Sequence, residues 1–420
     1  MTKNRESGAG RVPAEGGWME PGLASEIPRG AASAHSAAGR EQHPGADITL
    51  RGQLPAPGSR LPTPGSDEAL DDLLSAPSPA VVRTLLACPG DVVVLGAGGK
   101  MGPTLARMVR RALDGEVATG GGVDGKGGGV PAPRDGRSRR VVAVSRWGSD
   151  DAAARLREAG VETVRADLTD RAQVERLPDA PNVIYMAGQK FGTRGDPSGT
   201  WAMNVVAPVL CAERYAGSRV VAFSTGNVYP LTPVARGGSA ETDAVTPAGE
   251  YAASCVGRER VFEHFSRARG TPVAIYRLNY AVDLRYGVLV DVALRVLRGE
   301  PVDVTMGHVN VIWQGDANRA AVECLAHAAS PPFVVNVTGP EVLRVRDVAH
   351  AFGRHFGRPP VIVGEEAPDA LLSNSARMTR HLAPPSVTAS ELIAWVAEWV
   401  GRGGTLLGKP TKFEVRDGTY

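Results

Sequence analysis

Asp91-Val92-Val93-Val94-Leu95-Gly96-Ala97-Gly98-Gly99-Lys100-Met101-Gly102-Pro103 is the stretch that decides how this chain is read. Its apolar run is short, β-branched and bounded by an acid and a glycine, which fits a strand buried on both faces. The glycines behind it permit a tight turn, and Leu105, Met108, Val109 and Leu113 then recur at helical spacing. A strand that runs through a Gly-rich loop into a helix N-terminus is a cradle for a pyrophosphate. The glycines let the backbone come close, and the first free N–H groups of the helix stabilise the anion. The spacing Gly96-x-x-Gly99-x-x-Gly102, with Lys100 and Met101 inside it, predicts dinucleotide binding at these five positions.

Outward from this loop the pattern alternates. Strands are expected at 141–144, 161–165, 182–186, 219–223 and 272–276, with helices at 151–159, 201–216 and 251–267 between them. Such alternation predicts an α/β fold, a Rossmann doubly wound parallel sheet with helices on both faces. Two short helices, 68–74 and 80–87, lead into it. Beyond residue 277 the pattern loosens into helices at 289–298, 319–328, 345–356 and 389–400 and into short strands. The expected organisation is a cofactor domain over 65–276 and a smaller C-terminal α/β substrate lobe over 277–420, partly interleaved with the sheet. The Gly-rich insert at 114–140 is expected to be a flexible surface loop. Residues 1–64, rich in Gly, Pro and Ala, cannot bury enough apolar surface to order themselves and are expected to be a disordered tail.

Composition narrows the class. The chain has 47 basic and 45 acidic residues, a net charge of +2, which gives no reason to expect nucleic acid or an acidic membrane surface. No apolar run approaches the ~18–20 residues that span a bilayer. Cys88, Cys211, Cys255 and Cys324 have neither metal-like nor paired spacing, so no metal is expected and a reducing cytoplasm suits them.

The end of the second strand selects the cofactor. A carboxylate there would hold an adenosine ribose and repel a 2′-phosphate. The chain has Ser145-Arg146 instead, and no acid is expected to oppose the guanidinium, so NADP is favoured over NAD. Asp167-Leu168 is expected near the adenine, and Ala187-Gly188 near the middle of the cofactor.

Over residues 91–400 the chain resembles the extended short-chain dehydrogenase/reductases of the NAD-dependent epimerase/dehydratase family. The resemblance rests on the glycine loop, Asp167-Leu168, Met186-Ala187-Gly188, Asn204-Val205, Phe223-Ser224-Thr225-Gly226-Asn227-Val228-Tyr229, Tyr251-x-x-x-Cys255 and the stretch Val311 to Asp316. It implies hydride transfer at a carbinol, with Tyr251 as the proton-transfer group and Thr225 holding the reacting oxygen. A phenol titrates near ~10 and needs a nearby cation to work at neutral pH. The family places a lysine four residues on, one helical turn away; here that position is Cys255. Lys190, in Ala187-Gly188-Gln189-Lys190, is the candidate helper, and a solvated loop lysine is the other reading of it.

Further departures bear on the reaction. Gly226 and Asn227 stand where dehydratases of the family carry Asp and Glu, so elimination is not expected. Val309 stands where nucleotide-sugar members carry an arginine for the diphosphate, which favours a smaller substrate: a sugar, sugar acid or polyol. Asn227, Asn279, Trp313 and Gln314 are the expected substrate contacts. The alternatives are a non-catalytic NADP(H)-binding regulator and a nucleotide-sugar epimerase. A homodimer through the helices at 201–216 and 251–267 is the expected assembly.

Overall fold

Seven strands build the centre: β1 (Val92–Leu95), β2 (Val141–Ser145), β3 (Glu162–Arg165), β4 (Asn182–Tyr185), β5 (Arg219–Thr225), β6 (Val273–Leu278) and β7 (Phe333–Val337). They lie in the order β7-β6-β5-β4-β1-β2-β3, and every neighbouring pair is parallel. The order reverses between β1 and β4, which opens a crevice at their carboxyl ends. This computed structural model describes residues 62–115, 138–192, 195–409 and 411–419. Nearly all of the expected tail (1–61) and most of the glycine insert (116–137) lie outside the described residues.

Side-chain alternation explains why β1 reads as an unbroken apolar run. Val92 and Val94 enter the core on one face of the sheet, Val93 and Leu95 the core on the other, and all four are fully buried. The chain supplies helices α1 (Asp67–Leu74), α2 (Pro79–Ala87), α3 (Gly102–Leu113), α4 (Asp150–Glu158), α5 (Arg171–Glu175) and α6 (Pro197–Trp201). After these come α7 (Ala207–Arg214), α8 (Gly249–Arg269), α9 (Val288–Arg298), α10 (Gln314–His327), α11 (Val345–Phe356), α12 (Ala376–His381) and α13 (Ala389–Gly401). Helices α2, α3 and α10 cover the first face, α7 and α8 the second.

Three features differ from the sequence reading. The helix expected at 201–216 is interrupted by a π-helical turn, Ala202–Val206. Pro208 has no N–H to donate to the Asn204 carbonyl, and the widened turn holds the Asn204 side chain fully buried. The second difference is at the N-terminal side, where α1 belongs to the lobe. Leu70 and Leu74 of α1 pack into the lobe core with α9, α11 and α13, whereas β7 and α10 return to the main sheet. Residues 405–409 and 411–419 are a third surprise, irregular segments of a strap with Phe413 buried in the lobe core. Among the described residues no helix is long and apolar enough to cross a membrane.

Candidate active site

At the end of β1 the backbone turns at once. Gly96 has φ +87°, and a Cβ there would sit 2.5 Å from the Ala187 nitrogen. A Cβ at Gly102 would fall inside contact distance of the Ala97 carbonyl. These two glycines press the loop and the start of α3 onto the ends of β1 and β4. Gly99 is different: a Cβ there would touch only the Gly96 oxygen, at 3.5 Å, so its other side is open. No side chain caps α3 at Met101, which leaves its first N–H groups available to an anion. The cradle fits a dinucleotide phosphate.

The adenine end departs from expectation. Adjacent strands bring their ends together, and Arg146 Nη1 lies 3.8 Å from Asp167 Oδ2. An acid does oppose this arginine, across the sheet rather than along the sequence. The Asp167 carboxylate also accepts hydrogen bonds from Thr169 N (2.9 Å) and Oγ1 (2.7 Å), which hold it below the usual carboxylate range. Ser145 packs under the loop beside Gly98. Leu168 is buried in the sheet core, so its side chain faces away from any ligand. Ala187 is buried against Gly96, and Gly188 is exposed.

The proton-transfer corner is built by β5 and α8. Thr225 ends β5 and caps the turn that follows: its Oγ1 accepts from Asn227 N at 3.2 Å and donates to Asn227 Oδ1 at 3.0 Å. Tyr251, half-buried in the first turn of α8, is hydrogen-bonded to the Thr225 hydroxyl and to Cys255. Burial and the neighbouring sulfur raise the Tyr251 phenol well above its ordinary value, while Arg258 and Thr225 oppose the shift. Cys255 is fully buried, and burial raises its thiol too, so it is a neutral group at physiological pH.

Thr225 and Tyr251 face a cavity of about 180 Å³. The strand-end wall also carries Met101 and Lys190; the lobe wall carries Asn279, Tyr286, Gln314 and Thr411. Lys190 is not a solvated loop residue. Its ammonium lies 5.9 Å from the Tyr251 ring centroid, and burial lowers its pKa to about 8. Lys100 is exposed yet reaches the same cavity, with its ammonium 2.9 Å above the Tyr286 ring. Gln314 is 4% exposed, and its Nε2 has no hydrogen-bond partner. Asn227 and Asn279 line the cavity as well.

Two expectations fail here. Trp313 is not at the site: successive residues of the strand Ile312–Trp313 point to opposite sides, and its ring packs edge-on against Trp395 in the lobe core, 5.4 Å between centroids. Val309 is buried in that same core, so the position read as a lost diphosphate contact does not face the cavity.

Reading the sequence missed the strap and Arg258. Thr411 lines the cavity while its backbone N–H and hydroxyl donate to Asp291 at 2.8 and 2.6 Å. Ion pairs Glu414–Arg295 and Arg416–Asp369 fasten the segment, and Gly418 lies against Ala248 and Gly249 at the start of α8. Nothing periodic marks this segment. Arg258 did carry a signal: it sits seven residues after Tyr251, on the same helical face.

The architecture is the Rossmann-type α/β fold of the extended short-chain dehydrogenase/reductase type. Residues 132–319 match the sequence model of the NAD dependent epimerase/dehydratase family. MoeE5 in complex with UDP-glucuronic acid and NAD is similar in structure, with TM-score 0.56 and 23% identity, covering 74% of this chain and 99% of that one. The Thermus thermophilus UDP-glucose 4-epimerase complexed with NAD has TM-score 0.56 and 22% identity over the same shares, 74% and 99%. DesIV, a dTDP-glucose 4,6-dehydratase from Streptomyces venezuelae, has TM-score 0.58 and 19% identity, covering 74% and 97%. No curated protein matches the chain by sequence.

Proposed function

We propose that the chain is an NAD(P)-dependent oxidoreductase or epimerase acting at a hydroxyl or ketone of a small carbohydrate-like substrate, a sugar, sugar acid or polyol. One observation carries this reading: the Thr225 hydroxyl and the Tyr251 phenol are joined by a hydrogen bond on the wall of a cavity beside the glycine cradle. When bound, the nicotinamide supplies the hydride acceptor or donor. The chain's own residues do the rest. Backbone N–H groups of the loop and of α3 hold the pyrophosphate, Thr225 orients the reacting oxygen, and Tyr251 gives or takes its proton. Holding the phenol protonated at neutral pH suits it to donate to a ketone oxygen; taking a proton from a hydroxyl requires a cation nearby.

The cavity volume supports a small substrate, since it lies below the ~300–1,000 Å³ usual for drug-sized ligands. Polar groups from Asn227, Asn279 and Gln314 suit hydroxyl recognition. NADP is favoured over NAD because the Arg146 side chain is two-thirds exposed at the end of β2, where a 2′-phosphate could displace its long contact with Asp167. The same reading includes a homodimer through α6–α8, supported by the exposed Trp201 (39%) and Val206 (47%) on adjoining turns. It also includes a reducing cytoplasm, which suits four unpaired, buried cysteines.

The test is a screen of sugars, sugar acids, polyols and UDP-sugars with NAD and with NADP, followed by nicotinamide absorbance and by epimer analysis of the products. Turnover of a small substrate that Tyr251→Phe abolishes is the expected result. Turnover of UDP-sugars alone would move the reading to a nucleotide-sugar epimerase. Cofactor binding with no turnover of any substrate would leave a non-catalytic binder of the dinucleotide.

A further inference from the structure

The lysine expected at position 255 as the cation for Tyr251 is missing, and helix α8 holds another cation. Tyr251, Cys255 and Arg258 are spaced i, i+4, i+7 and share one face. Arg258 is 6% exposed. Its Nη1 donates to the Phe223 carbonyl at 2.9 Å, two residues before Thr225, and its Nη2 donates to Asn204 Oδ1 at 2.5 Å. Asn204 is itself fixed: its Oδ1 also accepts from Gln189 N at 2.9 Å, and its Nδ2 donates to Gln189 O and Ser254 Oγ, each at 2.9 Å. One guanidinium therefore ties together β5, the π-helical turn and the loop that carries Lys190. A Cβ at Gly188 would lie 2.5 Å from Nη2, so a larger residue there would push the guanidinium from its place.

Both acceptors are neutral. The adjacent carboxylate, Glu259, is committed to Arg277 through bonds of 2.9 and 2.7 Å and to Ser224. Arg258 forms no ion pair among the described residues, and its buried Nε has no hydrogen-bond partner. Burying a cation without an anion costs several kcal/mol, a cost that falls when negative charge forms beside it. The groups facing this region are Cys255 and Glu259 on α8, Tyr185 on β4, whose ring centroid is 5.9 Å from Arg258 Cζ, and Lys190 on the loop after β4, which Lys412 of the strap approaches in turn. Arg258 pulls Tyr251, Cys255 and Tyr185 toward ionisation, and of the three it is Tyr251 that lines the cavity.

We propose that Arg258 is the cation of this site: a positioning residue that stabilises the Tyr251 phenolate in place of a lysine at 255, with Cys255 as a neutral spacer between them. This rests on Tyr251 being the proton-transfer group. Turnover requires the Tyr251 proton to leave for, or arrive from, the substrate oxygen, and the fixed guanidinium favours the phenolate side of that transfer.

The experiment reads the phenol itself, so it is independent of whether a substrate is known. The tyrosinate absorbance of the full chain saturated with oxidised cofactor is titrated against pH, and the curve of Tyr251→Phe is subtracted. Arg258→Gln keeps an amide donor and removes the charge. It is expected to move the Tyr251 midpoint up by about one unit or more, a tenfold smaller phenolate population. Cys255→Lys added to Arg258→Gln is expected to bring the midpoint back. A midpoint unmoved in Arg258→Gln overturns the proposal. Should that variant not fold, Arg258→Lys is read instead: a midpoint near wild type supports the charge, and a rise of a full unit with the charge retained overturns it. Absence of turnover with every substrate would count against the enzymatic reading alone and would leave these curves unchanged.

Discussion

The cavity has two walls of different origin. One is made of strand ends and the first turn of α8, from Met101, Lys190, Thr225 and Tyr251; the other is made of the lobe and the strap, from Asn279, Tyr286, Gln314 and Thr411. The first wall is fixed by short-range geometry. Thr225 ends a buried strand, Met101 and Lys190 stand in the loops that leave two others, and Tyr251 lies in a helix packed against the sheet. The second is assembled from residues scattered over more than a hundred positions. A wall of the first kind sets what chemistry is possible; a wall of the second kind sets what fits.

The sharpest test of that division is Tyr251→Phe. Loss of the proton-transfer group is expected to reduce turnover by about 10²–10⁴, with cofactor affinity changed less than about twofold, as read by fluorescence titration. Full turnover in this variant would place the chemistry elsewhere. A comparably large effect, on stability instead, is expected from the second wall. Phe413→Ala empties a fully buried site in the lobe core and is expected to cost about 3–5 kcal/mol, measured by urea unfolding. Its companion Arg416→Ala, which frees the strap with less core damage, is expected to widen substrate acceptance. Unchanged specificity would show that the strap is only structural.

Smaller effects follow. Arg146→Ala is expected to cost NADP about tenfold in affinity, roughly 1.4 kcal/mol, and to leave NAD within about twofold. Equal losses for both cofactors would remove the 2′-phosphate from the argument. The smallest effect concerns Lys190. Its folded pKa, near 8, lies below its unfolded value of about 10.4. The folded state thus binds fewer protons than the unfolded chain between these values, and stability rises as pH climbs through that window. Below pH ~8 the ammonium is present and its burial is a cost. Lys190→Met should therefore raise the midpoint of thermal unfolding more at pH 7 than at pH 10. If the ammonium also assists Tyr251, activity should fall by a few-fold as pH passes through about 8, and Lys190→Arg should carry it higher. A pH profile identical in wild type and Lys190→Arg would show that this charge is idle.

The sheet was legible because strands buried on both faces are written as unbroken apolar runs. Even the edge strand β3 (Glu162–Arg165) fell within the expected strand at 161–165. The glycine cradle was legible for the same local reason. What could not be read were contacts made by distant segments. The pairing of Arg146 with Asp167 requires knowing that β2 and β3 are neighbours, which the doubly wound order would have supplied. Trp313 looked like a sugar platform beside Gln314, but one step along a strand reverses direction and put it in the core. Arg258 was on the right helical face and was passed over because its acceptors, Phe223 and Asn204, lie 35 and 54 positions away. The strap had no apolar period to announce it, and its one buried anchor, Phe413, stands alone.

The contact of Gly418 with Ala248 and Gly249 has a consequence in time. During synthesis, Thr225 and Tyr251 emerge long before residues 411–419 are made. The crevice is therefore open in the growing chain, and its cover arrives only when the later segment docks. A protease cut between α13 and Thr411 would leave the strap held by Phe413 and its two ion pairs, so that its loss would open the cavity and weaken the lobe core together.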